Sequence, residues 1–183
     1  KLRPTSTQAQ TSVNLAFDIE TDGIDSTYIH CMVTQDIDTG QVMEYNDQAS
    51  KNYSVVNGVC DLETATNIIS HNGIMFDVPE IKKHFPFWEG KAKHWDTLIL
   101  SRFFHPNLLD IDLRRKWHKM PARLYGSHSL EAYGYRLQCY KDDFGKTTDW
   151  TDWSQEMQDY CRQDVAILTK LWTHFQKSLK ALS

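Results

Sequence analysis

The hydrophobic pattern opens with a nearly continuous apolar run at residues 13–21 (VNLAFDIET), rich in β-branched and aromatic types, which predicts a central strand. Residues 28–38 (YIHCMVTQDID) predict a second strand, and 39–46 (TGQVMEYN) a turn at Gly40 leading into a third. Connections this short make neighbours of successive strands, so an antiparallel meander is expected. Another short β-rich run ends in the polar turn of 65–73 (ATNIISHNG), and helical spacing begins at 76–85 (FDVPEIKKHF), with Pro79 in the first turn. Residues 93–104 (KHWDTLILSRFF) repeat the strand, loop and helix, with Asp96 or Thr97 as the cap. Between Pro106 and Gly126 the chain is dense in Lys, Arg and His and weak in periodicity, so a partly exposed basic segment is expected there.

Residues 127–137 (SHSLEAYGYRL) place Leu130, Tyr133 and Leu137 on one helical face, with Ser127 ahead of them as the cap. The longest helix is predicted for residues 154–179, where Met157, Tyr160, Cys161, Val165, Leu168, Leu171, Trp172 and Phe175 form one apolar stripe that packs across the sheet. Strands first, helices later and no internal repeat predict an α/β domain with a mixed central sheet flanked by helices.

Composition bounds this picture without adding elements to it. With 183 residues, 40% hydrophobic and 12% aromatic, the chain suits one domain with a sizeable core. Its net charge of −4 supplies no general attraction for phosphates, a balance that a carboxylate-rich catalytic site would itself produce. Cys31, Cys60, Cys139 and Cys161 lack CxxC spacing and are expected to be reduced thiols in an intracellular protein. No apolar run reaches the roughly eighteen residues of a membrane span, and no charged-then-apolar leader opens the chain, so neither a membrane partner nor secretion is expected. Residues 1–12 (KLRPTSTQAQTS) read as a disordered polar tail, residues 13–183 as the domain, and the missing initiator Met as a sign of excision from a longer chain.

The candidate chemistry begins in the first strand. Positions i and i+2 share a strand face, so Asp18 and Glu20 project side by side while Phe17 and Ile19 point the other way. Burying such a pair is costly unless it binds a cation, and hard oxygen donors suit Mg²⁺ or Mn²⁺. Alternatively, a bare DxE is an exposed strand end with two solvated acids. Asp77, at a loop-to-helix junction, either caps the helix or points into a cleft. Asp164 lies in the last helix four residues after Tyr160, about one turn or 6 Å along the axis. Tyr160 itself falls on the apolar stripe, where a core tyrosine is the plain reading.

Four acids from separate elements, with a phenol one helical turn from the last, resemble the DEDDy 3′–5′ exonuclease superfamily. The segments are DIET (Asp18, Glu20), HNGIMFD (Asp77) and YCRQD (Tyr160, Asp164). WDTLILSRFFHPNL, GSHSLEAYGYRL, YKDDF and MQDYCRQDV are further similar to the exonuclease domains of phage T7-type (family A) DNA polymerases, so the resemblance covers most of residues 14–175. Asp159 stands where the related DEDDh enzymes have His. The resemblance implies an RNase H-like (DnaQ-like exonuclease) fold and a metal-dependent proofreading activity that releases deoxynucleoside monophosphates from single-stranded or frayed DNA 3′ ends. It also implies a C-terminal polymerase domain in the parent chain and a monomer working in the cytoplasm of a bacterial host.

On this resemblance Asp18, Glu20 and Asp164 hold one divalent cation, and Asp18, with Asp77 acting through water, holds a second about 4 Å away. Tyr160, protonated at neutral pH, orients the attacking water. Thr21 and Asn72 are the implied contacts to the terminal nucleotide. Many relatives place Asn four residues before the motif acid, where this chain has Gly73, so Asn72 reads equally as a turn-shaping residue. Arg114, Arg115 and Lys116, with Lys119 and Arg123, either track a phosphate backbone beside the stacking faces of Trp117 and His118 or form a solvated loop. His71, His94, His105, His118 and His128 lack metal-ligand spacing and read as structural or surface residues. Asp142 and Asp143 lie outside the motif contexts and are left out of the site. Two other readings remain: an exoribonuclease of the RNase D type, and a catalytically idle domain that binds DNA or braces a polymerase.

Overall fold

The computed structural model describes residues 12–48, 53–117, 119–139 and 149–182. Residues 1–11 of the expected polar tail, His118, and Asp142 and Asp143 lie outside them. Five strands, β1 (Asn14–Thr21), β2 (Ile29–Asp36), β3 (Val42–Asn46), β4 (Asn67–Ser70) and β5 (Lys93–Asp96), form one mixed sheet in the order β3-β2-β1-β4-β5. The first three make the expected antiparallel meander, with Phe17 opposite Thr34 and Met32 opposite Tyr45. β4 runs parallel to β1, Ala16 beside Ile69, and β5 runs parallel to β4, Ile69 beside Trp95. The α-helices among the described residues are α1 (Val55–Thr64), α2 (Asp77–His84), α3 (Thr97–Phe104), α4 (Leu108–Arg115), α5 (Leu130–Arg136) and α6 (Gln155–Lys180). None is long and apolar enough to cross a membrane.

Alternation along β1 divides the core in two. Leu15, Phe17 and Ile19 face a cluster with Met32, Tyr45, Val59, Leu62, Ile68 and Ile81, which α1 and α2 cover. Ala16 faces the other way, into a cluster with Cys31, Val33, Ile69 and the buried stripe of α6 from Met157 to Phe175. Asp18 and Glu20 share the face of Ala16, so the helix that seals this side of the sheet also passes over both acids.

Two helices were not evident in the hydrophobic pattern. α1 begins with two β-branched valines and contains Gly58, all weak helix formers. Packing overrides that preference: a Cβ on Gly58 would come within 2.7 Å of Met32 Sδ and 2.9 Å of the Tyr45 ring, so only glycine lets the helix lie this close to the sheet. α4 lies in the basic, weakly periodic segment between Pro106 and Gly126, whose Arg114, Arg115 and Lys116 are exposed as expected. Its inward face carries the buried acid Asp112 beside Leu108, which breaks the apolar period. The cap of α5 also moves, from Ser127 to Ser129. The Ser129 hydroxyl accepts from the Ala132 N–H at 3.2 Å, while Ser127 donates its hydroxyl to Ser129 at 3.0 Å.

Candidate active site

Asp18, Glu20, Asp77, Tyr160 and Asp164 line a single cleft of about 300 Å³. It forms where β1 and the parallel β4 end, the edge at which open α/β sheets place ligands. β1 supplies Asp18 and Glu20, the first residue of α2 supplies Asp77, and one face of α6 supplies Tyr160 and Asp164. Register between them is set by a buried hydrogen bond: the Ile19 N–H, between the two strand acids, donates to Asp77 Oδ1 at 3.3 Å. Tyr160 is half-buried on the cleft wall and not in the core, and the Trp150 ring meets it edge-on at 5.9 Å. Trp150 in turn is tied to the sheet by His30 Nε2, 2.9 Å from its carbonyl oxygen.

The charge in this cleft is poorly solvated. Asp77 and Asp164 are buried and Asp18 and Glu20 half-buried. Burial pushes the Asp77 carboxyl up to about 7, against the backbone N–H groups of Asp77 and Ile19, and the charges of Asp96 and Asp164 raise it further. One oxygen each of Asp18 and Glu20 and the Cys161 sulfur lie within 4.8 Å of one another. Cys161 does not complete a hard-ion ligand set. Burial drives its thiol well above the ordinary range, with Cys31, Asp18 and Glu20 adding to the rise, and the protonated sulfur donates to Asp18 O at 3.4 Å and Oδ2 at 3.6 Å. Cys161 therefore positions Asp18, a role hidden in the sequence because a cysteine on an apolar stripe reads as core. All four cysteines are free thiols.

The loop between β4 and α2 forms the opposite wall. Asn72 has φ 64°, its N–H donates to Asp96 Oδ1 at 2.9 Å, and the Ile74 N–H donates to Asp96 Oδ2 at 3.2 Å. Asp96 also caps α3 through the Leu98 N–H at 2.9 Å, so this acid is consumed in holding backbone. Asn72 thus shapes the turn and lines the cleft as well. Gly73 is required by close approach: a Cβ there would lie 2.2 Å from Ser70 Oγ and 3.2 Å from Asp77 Oδ2. His71, read as structural, also lines the cleft, with its Nδ1 2.9 Å from Thr97 Oγ1.

The remaining sequence candidates fall elsewhere. Thr21 is buried, and its hydroxyl donates to the Gly23 carbonyl at 2.8 Å. Arg114 and Arg115 end α4 and Lys116 follows as its left-handed cap, all three exposed and none among the residues lining the cleft. Arg114 donates to the Asp110 carbonyl at 3.1 Å, and the Arg115 guanidinium lies 5.1 Å from the Trp117 ring centroid.

A family model of the RNase H superfamily matches residues 15–176. Over 169 residues the chain is 32% identical to the DNA-directed DNA polymerase of Escherichia phage T7, covering 79% of this chain and 24% of the polymerase. The DNA-directed DNA polymerase of Enterobacteria phage T3 matches at the same identity and coverage. The chain therefore spans about a quarter of the length of these relatives. Among solved structures, Brucella melitensis NrnC superposes with a TM-score of 0.62 at 18% identity, over 93% of this chain and 75% of that one. The EXO domain of Aedes aegypti Nibbler superposes with a TM-score of 0.54 at 12% identity, over 94% and 86%. The sheet order, the convergent acids and these matches agree: the chain belongs to the RNase H superfamily.

Proposed function

We propose that the protein is a metal-dependent 3′–5′ exonuclease that removes deoxynucleoside monophosphates from DNA ends, as the proofreading part of a longer DNA polymerase. The observation that carries this reading is the convergence of Asp18, Glu20, Asp77, Asp164 and Tyr160 on one cleft. The 32% identity to the phage T7 polymerase favours DNA over RNA as substrate.

The donor set fits two divalent cations. Its oxygens are hard, and Asp77 carries a charge that burial and neighbouring acids disfavour until a cation offsets them. Asp18, Glu20 and Asp164 would hold one ion, and Asp18 with Asp77 the other. When bound, the ions activate water and neutralise charge on the scissile phosphodiester. The chain's own residues then do the positioning. The Tyr160 hydroxyl orients the attacking water from α6, Cys161 fixes the Asp18 carboxylate by donating to it, and Asn72 and His71 bound the space left for the terminal nucleotide.

The test is digestion of 5′-labelled single-stranded DNA. Laddering from the 3′ end in Mg²⁺ that stops on chelation is expected, with loss of cleavage in Asp18→Ala/Glu20→Ala and slower cleavage of a blunt duplex, whose end must fray. Cleavage that persists in EDTA, or an RNA of the same sequence degraded faster than the DNA, would overturn the assignment.

A further inference from the structure

A second cavity, of about 310 Å³, shares no lining residue with the catalytic cleft. It lies among the end of α3, α4, α5 and α6, and its wall includes Arg115, Trp117, Tyr133, Arg136, His105 and His174. Arg136 is the informative member. Its side chain is only 5% exposed, and its Nε and Nη2 donate to Asp112 at 3.0 and 2.7 Å. Its Nη1 has no hydrogen-bond acceptor among the described residues. A buried guanidinium donor left without an acceptor is costly and calls for a partner that the protein itself does not supply. Asp112 is no candidate, because its oxygens already accept from Arg136, from Trp117 Nε1 at 2.7 Å and from the Gly126 N–H at 2.8 Å. Arg115 adds an exposed positive charge to the same wall, over the Trp117 ring. Burial lowers the ordinary values of both His105 and His174, whose Nε2 atoms face each other at 3.0 Å, so the imidazoles stand neutral beside the arginines at pH 7.

Orphaned and exposed guanidinium groups beside the half-buried Trp117 indole, in a cavity at the lower end of small-ligand volumes, match one ligand chemistry. We propose that this cavity binds a nucleoside monophosphate, with its phosphate on Arg136 and Arg115 and its base against Trp117. The choice of a nucleotide rests on the nuclease reading above, whose product is one. The unit comes either from the released product or from a strand held along α4.

Isothermal titration of the 183-residue protein with dTMP in excess chelator tests the site, because the cation-free cleft is lined with carboxylates and repels phosphate. dTMP is expected to bind more tightly than thymidine or inorganic phosphate. Arg115→Ala should weaken it by roughly tenfold, the loss typical of a charge-assisted contact, and His174→Ala should weaken it by a smaller factor. Asp18→Ala should leave the dTMP affinity as it is. Both Arg115 and His174 are exposed enough for their variants to fold, whereas Arg136→Ala would orphan Asp112. Absence of dTMP binding, equal binding of phosphate alone, or affinity indifferent to both variants would overturn the proposal. A 5′-phosphorylated (dT)4 that competes for the Arg115-dependent site assigns the strand as the source, and its failure to compete assigns the free nucleotide; either result keeps the site. Failure of the nuclease reading shows separately, as absent cleavage in Mg²⁺.

Discussion

Tyr160 illustrates how a single position can be read two ways until its neighbours are placed. On a helical stripe with Met157, Cys161 and Val165 it looks apolar, yet its rotation around α6 carries it to the cleft wall while those three enter the core. A residue that orients water without holding the fold has a distinct signature. Tyr160→Phe should slow cleavage by about a hundredfold, at the lower end of general acid–base contributions, with DNA affinity and melting temperature near those of the parent. Single-turnover kinetics beside a binding titration checks this, and a variant that unfolds would assign Tyr160 to the core. Gly73 makes the opposite case, since its importance is steric. Gly73→Ala pushes a methyl into Ser70 Oγ and toward Asp77 Oδ2, so a loss of about 1–3 kcal/mol in urea unfolding is expected, as for overpacking elsewhere. An alanine variant as stable as the parent would show that the loop relaxes freely. The shared face of the paired acids of β1 was legible from spacing, whereas Asp77 and Asp164 were nominated only through the family resemblance. The donor role of Cys161 and the cleft position of His71 were not legible, because each depends on side chains distant in the chain.

At the scale of elements, strong periodicity located β1, β2 and α6 within a residue or two, and α4 escaped because its inward face is ionic. Asp112 and Arg136 form a buried pair that ties α4 to α5, with Trp117 and Gly126 completing the acceptor sites of the acid. In a sequence such a pair reads as two surface charges on unrelated segments. Burial works to raise the Asp112 carboxyl, but the Arg136 hydrogen bonds, the Gly126 N–H and Trp117 outweigh it, and the net shift is downward. A carboxyl depressed in the folded state favours folding above its unfolded value of about 3.9, and that contribution disappears as pH falls through the lower folded value. Asp112→Asn should therefore cost about 3 kcal/mol near neutral pH, as expected when one partner of a buried pair is removed. The difference from the parent should narrow below pH 4. Urea unfolding of both proteins from pH 7 to pH 3 measures the gap, and a gap constant over that range would mean that the pair contributes nothing ionic.

For the whole molecule, short links dictated the meander and the order of strands and helices pointed to a mixed sheet, while the longer connections bring β4 and β5 in parallel. What connection lengths could not tell is that all four acids would share one small cleft, because Asp77 and Asp164 reach it only through the packing of α2 and α6 on opposite faces of the sheet. That concentration of buried negative charge opposes folding in the absence of cations, so stability and metal binding should be linked. A divalent ion that binds only the folded state adds about 1.4 kcal/mol when present at ten times its dissociation constant. For a chain of this size that corresponds to a rise of roughly 3–6 °C in melting temperature. Mg²⁺ should produce the rise, and NaCl at equal ionic strength should give less, since screening reaches buried charges poorly. Asp18→Asn/Glu20→Gln removes charge while keeping shape, so it should melt higher than the parent without metal and respond little to Mg²⁺. Thermal unfolding of the two proteins in EDTA, NaCl and MgCl₂ decides the matter: a parent that melts at the same temperature in all three would show that the cleft carries no repulsion for a cation to relieve.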